Sequence, residues 1–119
     1  MKYTDIQRME KILEYTEKLL KYVKDANIDK KRLMEDYTVQ WAVTTPLYNI
    51  GEHVYNLSGE FKTAHSEVKW IAIAGLRHRL VHDYDDTNWG LISDIVMVDL
   101  PELKKQAETI LKNNFDSET

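Results

Sequence analysis

The sequence contains no cysteine, and only four glycines and two prolines occur among its 119 residues. Without cysteine the chain has no disulfide bonds and no thiolate metal ligands, which is compatible with a reducing compartment. Because glycine and proline supply most turns, their scarcity favours long helices over many strands and hairpins. No apolar run approaches the roughly 20 residues of a membrane span, and no signal-peptide pattern follows Met1. We therefore expect a soluble, cytoplasmic protein.

The composition is that of one folded domain covering residues 1–119, with 43% hydrophobic and 30% charged residues. The formal net charge of −4 argues against a broad nucleic-acid surface, because such surfaces attract phosphates through Lys and Arg. The charges are unevenly placed, however. Residues 68–82, here called the basic island, include Lys69, Arg77 and Arg79 and no acid, and Asp83 follows immediately.

Two long helices are predicted in the first half of the chain. Thr4 and Gln7 have the spacing of a capping box, and the first helix should end near residues 25–27. Asp29 is a candidate cap for a second helix, which should run to Leu57 with a kink near residues 44–45, because Pro46 removes a backbone donor. A break into two helices is the alternative. The predicted apolar stripe of this second helix is Leu33, Tyr37, Trp41, Ile50, Val54 and Leu57.

The second half is predicted to contain a polar linker over residues 58–66, a third helix to about Asp83, and a fourth from Trp89. Residues 95–98 are β-branched or apolar and could form a strand, although no pairing partner is evident. A last helix should start at Asp99-Leu100-Pro101, and residues 113–119 should fray. The fold class is thus all-α, an antiparallel bundle of four to five helices. The three tryptophans, Trp41, Trp70 and Trp89, are expected to anchor the core.

The segment of residues 77–84, Arg-His-Arg-Leu-Val-His-Asp-Tyr, contains the most informative spacing in the chain. Arg77, His82 and Tyr84 match the Arg-x4-His-x-Tyr signature of the HEPN superfamily, and the polar residue that often follows the arginine is His78 here. The flanking Ile50-Gly51-Glu52 and Asp99-Leu100-Pro101 segments also resemble this superfamily, and in particular its HepT toxins. One departure is Val68-Lys69, where many relatives have proline.

This resemblance implies a HEPN-like bundle that acts as a metal-independent endoribonuclease on RNA and needs no cofactor. It also implies a homodimer, and a toxin of a type VII-like pair whose antitoxin is a minimal nucleotidyltransferase of the MNT type. In that family the antitoxin transfers AMP to the tyrosine that Tyr84 matches, which silences the RNase. Neither a membrane nor DNA is an expected partner.

The residue types suit metal-free RNA cleavage, and the expected catalytic set is Arg77, His82, Tyr84 and His78. A histidine titrates near neutral pH, so His82 is assigned to proton transfer. An arginine stays charged and can bind two phosphate oxygens, so Arg77 is assigned to phosphate stabilisation. Five residues along an ideal helix separate their directions by about 140°. A shared site therefore needs local unwinding near His82 or a second copy of the chain.

Several alternatives stay open at this point. The chain could be a non-catalytic helical module that binds the nucleotidyltransferase and is modified by it. His78 and His82, four residues apart, could bind zinc, although no third ligand accompanies them. Glu52 could orient Arg77 or His82, or it could be an exposed helix residue. His53 and His65 are expected to be ordinary polar positions. Gly51 and Gly75 each either permit a close approach to a neighbouring helix or subunit or are merely tolerated.

Overall fold

The computed structural model describes residues 2–82 and 86–118, apart from the side chains of residues 81, 82 and 115–118. This part of the chain forms seven α-helices and one turn of π-helix, and it contains no strand. The helices are α1 (Asp5–Asp25), α2 (Lys30–Glu35), α3 (Tyr37–Tyr55), α4 (Gly59–Ala64), α5 (Trp70–His82), α6 (Trp89–Asp94) and α7 (Leu100–Glu118), with the π-turn at Ile95–Asp99. The predicted all-α bundle is confirmed.

The helices bury one continuous apolar core. Helix α3 packs most extensively along α5, α1 lies against both α3 and α7, and α2 contacts α6. Helix α3 is therefore covered on two sides, and side chains on it can reach both α1 and α5. The largest fully buried side chains are Met9, Ile12, Leu33, Leu47, Ile50, Ile73, Leu76, Ile92, Leu100 and Leu103.

Helix α1 begins as the sequence predicts. The Thr4 amide donates to Gln7 Oε1 at 2.9 Å, and the Gln7 amide donates to Thr4 Oγ1 at 3.1 Å. This reciprocal pair satisfies two of the amide donors that a helix start leaves without partners. The helix ends at Asp25, and Asn27 then adopts a left-handed backbone with φ of 53°.

The predicted single helix from Asp29 to Leu57 is wrong, and the break lies at Asp36 instead of near Pro46. The Asp36 backbone is extended, and its carboxylate accepts from the amide and the hydroxyl of Thr38, at 3.0 and 2.7 Å. Those bonds start a new helix, whereas α3 continues through Pro46. Two residues of the predicted apolar stripe are exposed, Trp41 at 59% and Tyr37 with it, whereas the other four are buried: Leu33, Ile50, Val54 and Leu57. Val39, Val43 and Leu47 take the inner face.

The predicted polar linker is only partly correct, because residues 59–64 form α4. Ser58 caps this helix by accepting from the Phe61 amide at 3.1 Å, and Phe61 packs against Trp70. The Trp70 indole donates to the carbonyl of His65 at 2.9 Å. Trp70 is the buried anchor that the sequence predicts, and Trp89 packs against the core from a half-buried position.

The segment of residues 95–98 is a π-turn that joins α6 to α7, so a strand is excluded there. Ile95 and Val96 are buried, whereas Met97 and Val98 are exposed. Helix α7 begins at Leu100 with Pro101 in its first turn, as predicted, and it extends to Glu118 through the segment predicted to fray. None of the helices in the described residues is both long and apolar enough to cross a membrane.

Candidate active site

Gly51 lets α3 approach α5 closely at the position of Arg77. A Cβ atom on Gly51 would lie 2.7 Å from the Arg77 amide nitrogen and 3.2 Å from the Ile73 carbonyl oxygen. Real Cβ atoms essentially never come within 3.0 Å of such an atom, so only glycine fits here without a shift of the helices. This is the close approach that the sequence left open for Gly51. Gly75, by contrast, has only the tip of Arg79 beside it, 3.9 Å from a Cβ position.

The close approach places Glu52, the next residue on α3, against the guanidinium group of Arg77. Arg77 Nε donates a short hydrogen bond to Glu52 Oε2, and the two side chains form an ion pair. The hydrogen bond to Glu52 raises the pKa of Arg77 above its ordinary value. The side chains are 39% and 35% exposed, so the pair lies at the surface, where a ligand could reach it.

Two further side chains hold this pair in place, one from the last residue of α3 and one from the residue that follows it. The Tyr55 ring lies under the guanidinium group, with Arg77 Cζ 4.3 Å from the ring centroid, a cation–π contact. Asn56 Nδ2 donates to the other Glu52 oxygen, Oε1, at 3.2 Å. Within the described residues the Nη nitrogens of Arg77 have no hydrogen-bond partner. The guanidinium group is thus fixed through Nε and its face, and as far as the described residues go its two terminal nitrogens are left for an anion.

The other predicted site residues lie further along the same helix or beyond it. His78 follows Arg77 and is exposed on α5. The α5 backbone is helical as far as His82, so the local unwinding that the sequence analysis left open does not occur before that residue. The side chain of His82 and the whole of Tyr84 lie outside the described residues, so their roles remain predictions. Two of the three cations of the basic island are ion-paired, Arg77 with Glu52 and Lys69 with Asp99.

The structure brings together residues that the sequence did not single out. Tyr55 and Asn56 share a face of α3 with Glu52, and this i, i+3 and i+4 spacing was the available signal. His53, predicted to be an ordinary polar position, is instead buried at 9% exposure, and its Nδ1 lies 3.2 Å from Arg8 Nη1. Among the described side chains no group of three His, Asp or Glu residues is arranged to bind a metal ion.

Comparison with known proteins gives one consistent answer. The family model for HepT-like ribonucleases matches residues 12–110. A protein of Caldanaerobacter subterraneus named "Putative RNase" is 36% identical over 104 residues, covering 87% of this chain and 91% of that protein. A second protein with that name, from Methanocaldococcus jannaschii, is 34% identical over 102 residues, covering 86% and 83%. A "Probable ribonuclease HepT" of Thermococcus cleftensis is 34% identical over 77 residues, covering 65% and 70%.

No solved structure gives a significant match. The family assignment therefore depends on sequence similarity, and the helical bundle with its Glu52–Arg77 pair is in accord with it. The family match covers α3 and α5, the two helices that hold this pair. The chain belongs to the HepT-like ribonuclease family of the HEPN superfamily.

Proposed function

We propose that this protein is a metal-independent endoribonuclease in which Arg77 binds the scissile phosphate and His82 transfers protons. The observation that carries the proposal is the guanidinium group of Arg77, which Glu52 and Tyr55 hold while its terminal nitrogens remain without partners in the described chain. A preorganised cation of this kind stabilises the charge that develops on a phosphate in the transition state, at no cost in reorientation. The ribonuclease names of the relatives support the same activity.

The proposed reaction uses the RNA's own 2′-hydroxyl group as nucleophile. A base removes the 2′-hydroxyl proton as O2′ attacks the adjacent phosphorus, and Arg77 binds the non-bridging oxygens. The bond from phosphorus to O5′ then breaks, and the departing O5′ takes up a proton. The products are a 2′,3′-cyclic phosphate and a 5′-hydroxyl end. Neutral histidine suits the first proton transfer and imidazolium suits the second.

A second copy of the chain is part of the proposal, because one α5 helix separates Arg77 from His82 by about 140°. A homodimer that juxtaposes two copies of α5 would let one cleft use Arg77 of one protomer and His82 of its partner. Apart from the helix's own backbone, only the tip of Arg79 among the described residues comes within 4 Å of a Cβ position at Gly75, which supports a close approach of a second α5 helix there.

The toxin role is proposed on the family resemblance. The nucleotidyltransferase partner would transfer AMP to the hydroxyl of Tyr84, releasing pyrophosphate from ATP. The added phosphate would pair with Arg77 and occupy the place of the substrate phosphate. Intact mass of the protein made with and without its genomic neighbour tests this step, and an adenylyl group mapped to Tyr84 would support it.

The decisive experiment is cleavage of an end-labelled single-stranded RNA in the presence of EDTA. We expect Arg77→Ala to lower kcat about 10²–10³-fold, and His82→Ala to lower it about 10²–10⁴-fold. Arg79→Ala is the matched control for Arg77, because Arg79 is an exposed cation two residues along the same helix. His65→Ala is the control for His82. Equal losses in Arg77→Ala and Arg79→Ala would refute the assignment.

The non-catalytic module is the competing function, and the net charge of −4 is the observation in its favour. It predicts that AMP is found on Tyr84 and that the unmodified protein does not cut RNA. Arg77→Ala and His82→Ala would then be no different from wild type in the cleavage assay. A cyclic phosphate on the 5′ product would exclude it.

A further inference from the structure

A polar cavity has Glu52 among its lining residues, and Arg77 does not line it. It occupies about 510 Å³ between α1 and α3, is open to solvent, and is lined by Arg8, Lys11 and Tyr15 of α1 and by Asn49, Glu52 and His53 of α3. Glu52 forms one wall, and its carboxylate is engaged by Arg77 at the same time. The cavity therefore borders the candidate active site through Glu52, and nothing in the proposed reaction uses Arg8, Lys11 or His53.

Arg8 is the central cation of this cavity. Its Nη1 lies 3.2 Å from His53 Nδ1, and its guanidinium group lies over the Tyr3 ring at 5.4 Å from the centroid. Among the described residues no carboxylate pairs with Arg8. Its positive charge is held in place by a neutral ring and an aromatic face, so it remains uncompensated. A partly exposed, preorganised guanidinium group without a carboxylate partner among the described residues is suited to bind a phosphate.

His53 supplies a second donor to the same space. A guanidinium group only donates, so His53 Nδ1 must accept, and the ring proton is then on Nε2. Burial, and secondarily the charge of Arg8, lowers the pKa of His53, which keeps the ring neutral. Every buried polar side-chain atom in the described chain has a hydrogen-bond partner. No described residue is hydrogen-bonded to Nε2, so among these residues the atom retains contact with solvent and its N–H can donate to a ligand.

The remaining charges leave the cavity positive although the whole chain is acidic. Lys11 pairs with Glu14 at 3.4 Å, an exposed contact of small energetic value. The negative charge of Glu52 is balanced by Arg77. The Tyr15 ring stacks beside His53, with a centroid separation of 6.4 Å, and Tyr3 completes the aromatic wall. Cations next to exposed rings are the combination that binds the phosphate and the base of a single-stranded nucleotide.

We propose that this cavity is a binding subsite for a phosphodiester group of the substrate RNA. This group neighbours, along the strand, the phosphodiester group that Arg77 contacts, and Arg8 is the main residue that binds it. The inference rests on the proposed ribonuclease function, and it deepens that function by naming where the rest of the strand binds. Glu52 acts as the shared wall: it orients Arg77 on one side and borders the flanking phosphate on the other. The subsite gives this acidic protein a local positively charged surface on which RNA can bind.

The test measures binding of a fluorescent RNA hexanucleotide with a 2′-O-methyl group at every position, which cannot be cleaved because its nucleophile is blocked. We expect Arg8→Gln to raise Kd about tenfold and to lower the slope of log K against log salt by about 0.7, the value for one contact on a single strand. Lys11→Gln should act in the same direction, more weakly. Lys18→Gln is the matched control, because Lys18 also pairs with Glu14, at 3.0 Å, on the same helix outside the cavity.

The outcomes separate the subsite from the ribonuclease function. Equal Kd values for the Arg8, Lys11 and Lys18 variants would overturn the subsite, and so would the absence of RNA binding by wild type. If Arg8→Gln weakened binding of AMP alone and left the hexanucleotide Kd at the control value, the cavity would be a mononucleotide site and the RNA assignment would be wrong. Selective loss of hexanucleotide binding would support the subsite even if unmodified RNA were not cut, a result that would refute the ribonuclease function alone. Lys11→Gln, on an exposed residue, keeps the test valid if Arg8→Gln fails to fold.

Discussion

Replacing Gly51 by alanine tests whether the close approach of α3 and α5 builds the site. The added Cβ would lie 2.7 Å from the Arg77 amide nitrogen, 3.2 Å from the Ile73 carbonyl oxygen and 3.2 Å from Leu76 Cβ. Two of these atoms belong to the backbone and the third is fixed to it, so none can rotate away. Ordinary contact begins at 3.4 Å, so the helices must separate locally by about 0.7 Å from the 2.7 Å contact.

Two opposing effects determine how much Gly51→Ala changes the free energy of unfolding. Alanine gains about 1 kcal/mol over glycine in a helix interior. Overpacking of a dense interface costs about 1–3 kcal/mol, and the upper end applies where backbone atoms clash. We expect a net loss of about 1–2 kcal/mol in the free energy of unfolding. The clash falls on Arg77 itself, so kcat/KM should fall about tenfold or more, given that a misplacement of ~1 Å can cost about 10²-fold.

Urea unfolding followed by circular dichroism measures the change in the free energy of unfolding, and RNA cleavage measures the change in kcat/KM. Gly59→Ala is the control, because a Cβ at Gly59 would meet nothing within 4 Å and its φ is not positive. It should stabilise the protein by about 0.4–1 kcal/mol, through the unfolded state. If Gly51→Ala were as stable as Gly59→Ala and cut RNA at the wild-type rate, the close approach would have no role in positioning Arg77.

Three further predictions concern other parts of the molecule. Glu52→Gln should lower kcat about tenfold, because Arg77 loses the charge that orients it. The free energy of unfolding should change little, since both side chains are over one-third exposed, and a comparable loss of stability and activity would contradict this. Ile73→Ala should cost about 2–5 kcal/mol and Ile71→Ala almost nothing, because these residues of α5 are 1% and 91% exposed, and urea unfolding compares them. The pKa of His53 is lowered in the folded state. The neutral ring therefore favours the folded state above the ordinary pKa of histidine, and this contribution is lost as the pH falls below that value. Between about pH 7 and 5 the unfolding free energy of wild type should fall more than that of His53→Gln, and parallel pH profiles of the two proteins would contradict this.

Local signals determined the parts of the fold that depend on neighbours in the sequence. The capping box at Thr4 and Gln7 and the start of α7 around Pro101 need only residues within one helical turn, and both are confirmed. The Arg-x4-His-x-Tyr spacing likewise identified the family from residues 77–84, and the match over residues 12–110 bears this out.

The position of the helix break was not predicted from the sequence. The sequence analysis placed a distortion near Pro46, because proline removes a backbone donor, and it did not single out Asp36. In the structure Asp36 breaks the helix because its carboxylate caps α3, while α3 accommodates Pro46. The predicted apolar stripe is wrong only at Tyr37 and Trp41, which lie on the exposed face of α3.

The site itself was decided by packing. The sequence named Glu52 and Arg77 and left their contact open, because 25 residues separate them. Arg8 and His53 are 45 residues apart, and no local pattern relates them. Helix periodicity specifies which residues share a face, but the pairing of faces depends on how the bundle closes. Here a missing Cβ at Gly51 allows one helix to lie directly on another, and that contact decides which side chains meet.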